Sequence, residues 1–287
     1  MPGSDRRGPT RRRIGSRYRA LFGLGGRGGV GLVGKPVVGK AVYDRIGRGY
    51  SEVRRPDPRI AARIDRALGS VSSVLNVGAG AGSYEPSDRD VTAVEPSQLM
   101  ISQRREGSAP VVQATAEDLP FDDDTFDAAM AIITVHHWAD PDAGLAEMVR
   151  VARDRVVILS FDPEPLAQLW LVRDYFPRAL EIHVGMMAPI KELLARLPNA
   201  RQESVAIPRL CQDGFSCALW DRPEMHLDPH VRQASSSWHL MPAELTKRGL
   251  SALRADLDSG RWDERNGDLR SLPELDVGLR LIVSELG

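Results

Sequence analysis

Val74-Leu75-Asn76-Val77-Gly78-Ala79-Gly80-Ala81-Gly82-Ser83, followed by Val91-Thr92-Ala93-Val94-Glu95-Pro96-Ser97, is the pair of segments on which the fold reading turns. Each opens with a short apolar, β-branched run; the first passes into a loop with glycine at every second position, the second ends on a carboxylate. Glycine suits backbone that must turn sharply or lie against a ligand with no Cβ in the way. Three glycines straight after a buried strand leave room for a nucleotide-type cofactor at the strand's carboxyl end, and Glu95 is placed to accept hydrogen bonds from a ribose diol.

A dinucleotide-binding enzyme opens in a similar way, but two details oppose that reading. Ser83 stands where the third glycine of Gly-x-Gly-x-x-Gly would fall. The stretch from Ser83 to Asp90 is too short and polar for a full pyrophosphate-binding helix, and Pro86 limits it further.

Gln113-Ala114-Thr115-Ala116-Glu117-Asp118-Leu119-Pro120-Phe121 and Ile133-Thr134-Val135-His136-His137-Trp138 add the specific signal. With them the chain resembles the class I S-adenosylmethionine (SAM) dependent methyltransferases, in particular the small-molecule, type 11-like group. The resemblance implies SAM as cofactor, S-adenosylhomocysteine as its product, and a Rossmann-like α/β fold. That fold has a seven-stranded mixed sheet, helices on both faces and a helical lid between strands six and seven. It further implies that Gly78, Gly80 and Gly82 face the methionine part of SAM, Glu95 holds the ribose, and Ala116 with Glu117 frames the adenine. Asn76, Pro96 and Thr134 adjoin these positions and count with them as cofactor contacts. The family more often has Asp at position 76, and Cys and Thr at positions 79 and 81.

The chain's 287 residues suit one elaborated α/β domain or two small ones, and no apolar run is long enough to span a membrane. A cytoplasmic location is the default expectation. Cys211 and Cys217 cannot make a disulfide framework, and neither they nor the histidines have metal-ligand spacing, so no metal is expected. The net charge of -1 hides an asymmetry: residues 1–40 carry a net +9 and the rest a net -10. The acidic body argues against a nucleic-acid or membrane partner and for a small-molecule substrate. The Arg- and Gly-rich residues 1–40 are expected to be a mobile leader.

Order is expected from about residue 41. A core of residues 41–208 would bind SAM, residues 209–272 would form the lid, and residues 273–287 would return to the sheet as its last strand. Apolar runs at Val74–Val77, Val91–Glu95, Val111–Gln113, Phe126–Ile133 and Val156–Phe161 read as five strands, Gln202–Ile207 as a sixth and Leu275–Ser284 as a seventh. Helical spacing marks Ile60–Leu68, Ser97–Arg105, Pro141–Val151, Trp170–Phe176 and Ile190–Leu197. Such alternation specifies a doubly wound sheet with ligands at the carboxyl ends of its strands.

In the resembled family a Tyr-rich amino-terminal segment closes over SAM, which makes Tyr43, Tyr50 and Arg54 candidates here, Arg54 to pair with the cofactor carboxylate. Methyl transfer needs an aligned nucleophile, excluded water and a base where the acceptor carries a proton. His136 and His137 follow strand four, where the methyl group is expected, and His137 is the favoured base or orienting group, with Tyr50 as an auxiliary. Trp170, Tyr175, Phe215, Trp220 and Trp238 are the candidate walls of a pocket for a planar acceptor. The fuller pattern looks like actinomycete-type methyltransferases of secondary metabolism, some similar to indole C3-methyltransferases. An O- or N-acceptor, an RNA-associated enzyme or a non-catalytic SAM-binding protein are the alternatives.

Overall fold

The computed structural model describes residues 50–178, 187–233 and 235–287. The expectations for residues 1–40, Tyr43 and the Tyr50 side chain lie outside what it describes. Seven strands form one sheet: β1 (Ser73–Val77), β2 (Asp90–Val94), β3 (Val111–Val112), β4 (Phe126–Ile132), β5 (Ala152–Phe161), β6 (Ala200–Ser204) and β7 (Leu279–Glu285). Their order is β3-β2-β1-β4-β5-β7-β6. The first five run parallel, while β7 lies antiparallel between β5 and β6, with Ile282 opposite Ile158 on one side and Gln202 on the other. The seven-stranded mixed sheet is the one expected from sequence.

Side-chain alternation sends each strand's residues into two cores. On one face Leu75, Ala129, Val156 and Ile158 meet Leu145 and Met148 of α3 (Pro141–Val151), and Ile190 and Leu193 of α4 (Ile190–Arg196). On the other, Val74, Val157, Leu159 and Leu281 meet Ile60, Ile64 and Leu68 of α1 (Pro58–Leu68). Both principal helices start on an aspartate N-cap followed by proline: Asp57 accepts from the Arg59 amide, and Asp140 from the Asp142 and Ala143 amides.

Several boundaries differ from the sequence reading. The helix expected from Ser97 shrinks to α2 (Gln98–Ser102), because the polar run after it offers nothing to bury. Strand six ends at Ser204, and Ile207–Pro208 pairs instead with Glu274–Leu275 in a separate ribbon. Strand seven starts only at Leu279, because Gly278 has φ +99° and donates its amide to Asp276 Oδ1 in a tight turn. Residues 209–272 do form mainly helices, the longest being α5 (Ala243–Asp258) followed by α6 (Arg261–Asn266). They are no separate body, however: Trp220, Leu253 and Trp262 are fully buried in the same core as Leu159 and Leu281. Among the described residues no helix is long and apolar enough to cross a membrane.

Candidate functional site

At the carboxyl ends of β1, β2 and β4 lies a cleft of about 450 Å³, within the range of small-ligand sites. The chain leaves β1 through Gly78, Gly80 and Gly82, with φ of +71°, +54° and +89°. A Cβ on Gly78 would overlap Thr134 Oγ1, so the first glycine lets the loop close against the end of β4. No helix forms between β1 and β2. The loop is held from β2: Glu95, 6 % exposed, accepts the Gly80 amide through Oε2 at 2.8 Å and the Ser97 amide through Oε1 at 2.9 Å. A carboxylate oxygen holds more than one acceptor site, so Glu95 can also take the hydroxyls of a ribose in the cleft.

Asn76 is buried and donates from Nδ2 to Glu85 Oε1 at 3.1 Å, while Glu85 pairs with Arg104 at 2.8 Å. Aspartate at position 76 would set a second carboxylate against Glu85, which explains the asparagine here. Gly82 does not border the cleft; it lets the backbone pass Glu85 and Arg104, each 3.2 Å from where its Cβ would stand. Pro96, Ala116, Glu117 and Thr134 all border the cleft. Glu117 has a structural task as well, its Oε1 accepting the Ala139 and Asp140 amides at 2.7 and 3.1 Å.

Residues that the sequence reading did not name as contacts complete the walls, among them Ser83, Tyr84, Met100, Gln113 and Trp138. Trp138 carried a signal, since it follows the histidine pair directly; it packs on Gly144 of α3, where any Cβ would sit 2.5 Å from its ring. The resulting site has the glycine loop and the Glu95 carboxylate on one side and the apolar side chains of Trp138 and Ala116 among its other walls. It therefore fits a nucleoside carrying a charged amino-acid tail, as the implied cofactor does.

Directly after β4 stands Ile133, a β-branched residue at φ +53°, a conformation that costs of order 1–3 kcal/mol and clusters at functional sites. Beyond it a short turn, Val135–His137, presents both histidines, ring centroids 3.9 Å apart. Ile133, His137 and Arg54 border the cleft and also a second, inner cavity of about 130 Å³, while His136 borders only the inner one. That cavity is walled by Phe161, Phe176, Phe215, Trp238 and Met241.

Of the five aromatics singled out for the acceptor pocket, Phe215 and Trp238 are in its wall and three are not. Trp170 and Trp220 are packed in the core, their indole N–H groups donating to the Trp220 and Ile207 carbonyls at 2.9 and 3.1 Å. Tyr175 donates to Asp256 Oδ2 at 2.9 Å. These three brace the helical insertion against the sheet, because a large aromatic with a satisfied polar handle is the preferred core filler of a helical layer. His226, fully buried between Trp170 and Trp238, belongs to the same layer, and burial, then Arg232 and Arg222, lowers its pKa to about 3.

Arg54, which borders the cleft, is anchored by Asp213: Nε and Nη2 donate to Asp213 Oδ1 and Oδ2 at 2.5 and 3.3 Å. Asp213, 1 % exposed, also accepts from the Tyr84 hydroxyl at 3.0 Å. Burial, then the Asp213 charge, pushes the Tyr84 phenol far above its ordinary range, so it remains a donor. Asp57 extends this chain: its amide donates to Tyr84, and its carboxylate takes the Gln212 amide at 2.9 Å. Burial would raise the Asp57 pKa, but the hydrogen bonds from Arg59 and Gln212 outweigh it and hold it at about 2. The segment entering α1 is thus buckled to the loop 211–215 over the junction of the two cavities, a link between residues 159 apart in sequence. Both cysteines are buried, and Cys217 reaches the inner cavity.

Comparison with known proteins agrees with this geometry. Residues 75–159 match the family model described as a methyltransferase domain. A candidate methyltransferase from an antibiotic biosynthesis pathway of Anabaena variabilis has a solved structure 32 % identical in sequence, with a TM-score of 0.76 over 82 % of this chain and 99 % of that one. Among curated relatives, the demethylmenaquinone methyltransferase of Clavibacter sepedonicus is 29 % identical over 173 residues, 54 % of this chain and 68 % of that protein. The demethylmenaquinone methyltransferase of Paenarthrobacter aurescens is 33 % identical over 117 residues, 37 % of this chain and 46 % of that protein. The chain thus spans about two thirds of the first curated relative and less than half of the second.

Proposed function

The chain belongs to the class I SAM-dependent methyltransferases, and from that premise we propose that it methylates a planar, largely apolar aromatic metabolite seated in the inner cavity. Bound SAM supplies a methyl group already activated on a sulfonium. The protein's work is alignment, exclusion of water and removal of the acceptor's proton. The observation that carries the reading is the junction at Ile133 and His137, where the cofactor cleft opens onto an aromatic-walled space. His137 borders both sides and takes the proton of the acceptor's O–H or N–H as the methyl bond forms. His136, in ring contact with it, orients it.

The names of the curated relatives point to transfer onto a quinone-type ring. An indole whose C3 attacks the sulfonium methyl, releasing S-adenosylhomocysteine while its N–H proton passes to His137, satisfies the same requirements of flatness and a removable proton. The test is formation of S-adenosylhomocysteine with SAM and a panel of naphthols, quinols, indoles and aliphatic amines. Turnover confined to aromatic acceptors is expected, and the position of the new methyl group, read by NMR, separates ring-carbon from oxygen or nitrogen transfer. Turnover of aliphatic amines alone would overturn the reading.

A further inference from the structure

The inner cavity is apolar except at two places: its junction with the cleft, where Arg54 and the two histidines stand, and a knot of serines formed by Ser216, Ser235 and Ser237. Ser235 Oγ lies 2.9 Å from Ser216 Oγ and 2.6 Å from Ser237 Oγ, and Ser216 and Ser237 are 3.1 Å apart. All three are half-buried and all three border the cavity. We propose that this triad is the second recognition point for the acceptor, selecting an aromatic that carries a hydroxyl, carbonyl or N–H group in addition to its methyl-accepting position. The inference rests on the acceptor reading given above and deepens it.

Two features set these hydroxyls apart from ordinary surface serines. Ser235 is the N-cap residue of the turn Ser236–Leu240, where a serine hydroxyl would normally accept a backbone amide of the first turn. It makes no such bond, and its hydroxyl is given to the triad instead. The triad also has a defined hydrogen-bond balance. Three hydroxyls bring three protons and six lone pairs; a closed ring of three bonds uses every proton and half the lone pairs. The ring therefore presents acceptors to a ligand O–H or N–H. Turning one hydroxyl outward offers a donor to a carbonyl at the cost of one internal bond. Among the apolar side chains at this end of the pocket, such a group favours ligands that carry the matching polar atom.

The experiment uses the full chain saturated with S-adenosylhomocysteine and two probes of the same skeleton, 2-naphthol and 2,6-dihydroxynaphthalene, with binding followed by calorimetry. The diol should bind about three- to tenfold more tightly, the gain from one added hydrogen bond. In Ser235→Ala/Ser237→Ala that preference should vanish, while affinity for 2-naphthol and for S-adenosylhomocysteine stays within about twofold of wild type. Ser216→Ala, which changes a different element, should reduce the preference in the same direction. Equal binding of the two probes by wild type, or a preference that survives in the variants, overturns the triad's role and leaves the acceptor site standing. Failure of both probes to bind to a protein that does bind S-adenosylhomocysteine overturns the acceptor reading itself.

Discussion

The Gly80 amide donates to Glu95 Oε2 at 2.8 Å, so the acid at the end of β2 fixes the glycine loop it shares the cleft with. Glu95→Ala removes this bond, the one to Ser97, and the acceptor we propose for the ribose. Each charge-assisted bond is worth about 1.5–3 kcal/mol. Calorimetry should show affinity for S-adenosylhomocysteine falling by about ten- to a hundredfold, with Glu95→Gln intermediate.

Gly78→Ala should be more damaging than its size suggests, because the new Cβ overlaps Thr134 Oγ1 on a backbone already at φ +71°. A loss of about 2 kcal/mol or more is expected, which lowers Tm by about 4–8 °C in a domain of this size. Adding Thr134→Ala relieves the overlap but not the backbone strain. The double variant should therefore recover only part of the melting temperature.

Arg54→Ala leaves the Asp213 carboxylate buried and stripped of its bidentate partner. Breaking a buried pair from one side costs about 3–5 kcal/mol. The urea midpoint should fall accordingly. Replacing both partners together, Arg54→Met with Asp213→Leu, should be milder than Arg54→Ala alone. A double variant as unstable as the single one would mean that the contact of Val53 with Gly214, where the Gly214 amide donates to the Val53 carbonyl at 3.1 Å, does the fastening.

His226 has no hydrogen-bond partner on either ring nitrogen among the described residues. With its folded pKa at about 3 against an ordinary 6.5, the unfolded chain takes up the proton first. Its contribution to stability is whole above pH 6.5 and drains away as the pH falls toward 3, at up to about 1.4 kcal/mol per pH unit. His226→Leu should flatten the stability profile between pH 6 and 4 and cost little at pH 7. An identical slope in that window in the variant would show that His226 does not set it, because Asp57, lowered from 3.8 to about 2, acts only at about pH 4 and below.

His137→Ala should lower kcat by about 10²–10⁴, the range of a lost general base, with the dissociation constant for SAM unchanged. His136→Ala should do less, since it borders only the acceptor side. Unchanged turnover in both would return the pair to a packing role.

Strands β1 to β5 and the cofactor cleft were legible because fully buried parallel strands read as unbroken apolar runs, and because glycines and an acid at strand ends carry a short-range pattern. The aromatics misled: residue type announced that Trp170, Tyr175 and Trp220 would be buried, but not on which side of the cavity wall. The serine triad was invisible, since Ser216 and Ser235 stand 19 positions apart in the chain, with several short helical turns between them. The same holds for Arg54 and Asp213, whose pairing depends on the insertion returning to α1. The boundaries of β6 and β7 were missed because one turn at Asp276–Gly278, not a change in hydropathy, decides where the last strand begins.

The placement of β7 between β5 and β6 has a consequence for how the chain is made. Among the described residues β6 pairs in the sheet only with β7, and the inner edge of β5 is likewise closed only by β7. During synthesis β6 emerges about 75 residues before the strand it needs, an interval of about 4–15 s at ordinary elongation rates. Through that time the nascent protein carries an open β5 edge with the unbroken apolar run Val156-Val157-Ile158-Leu159, the kind of edge that recruits other chains. Yield in a cell should therefore respond to elongation rate and chaperone supply more than to the stability of the finished fold.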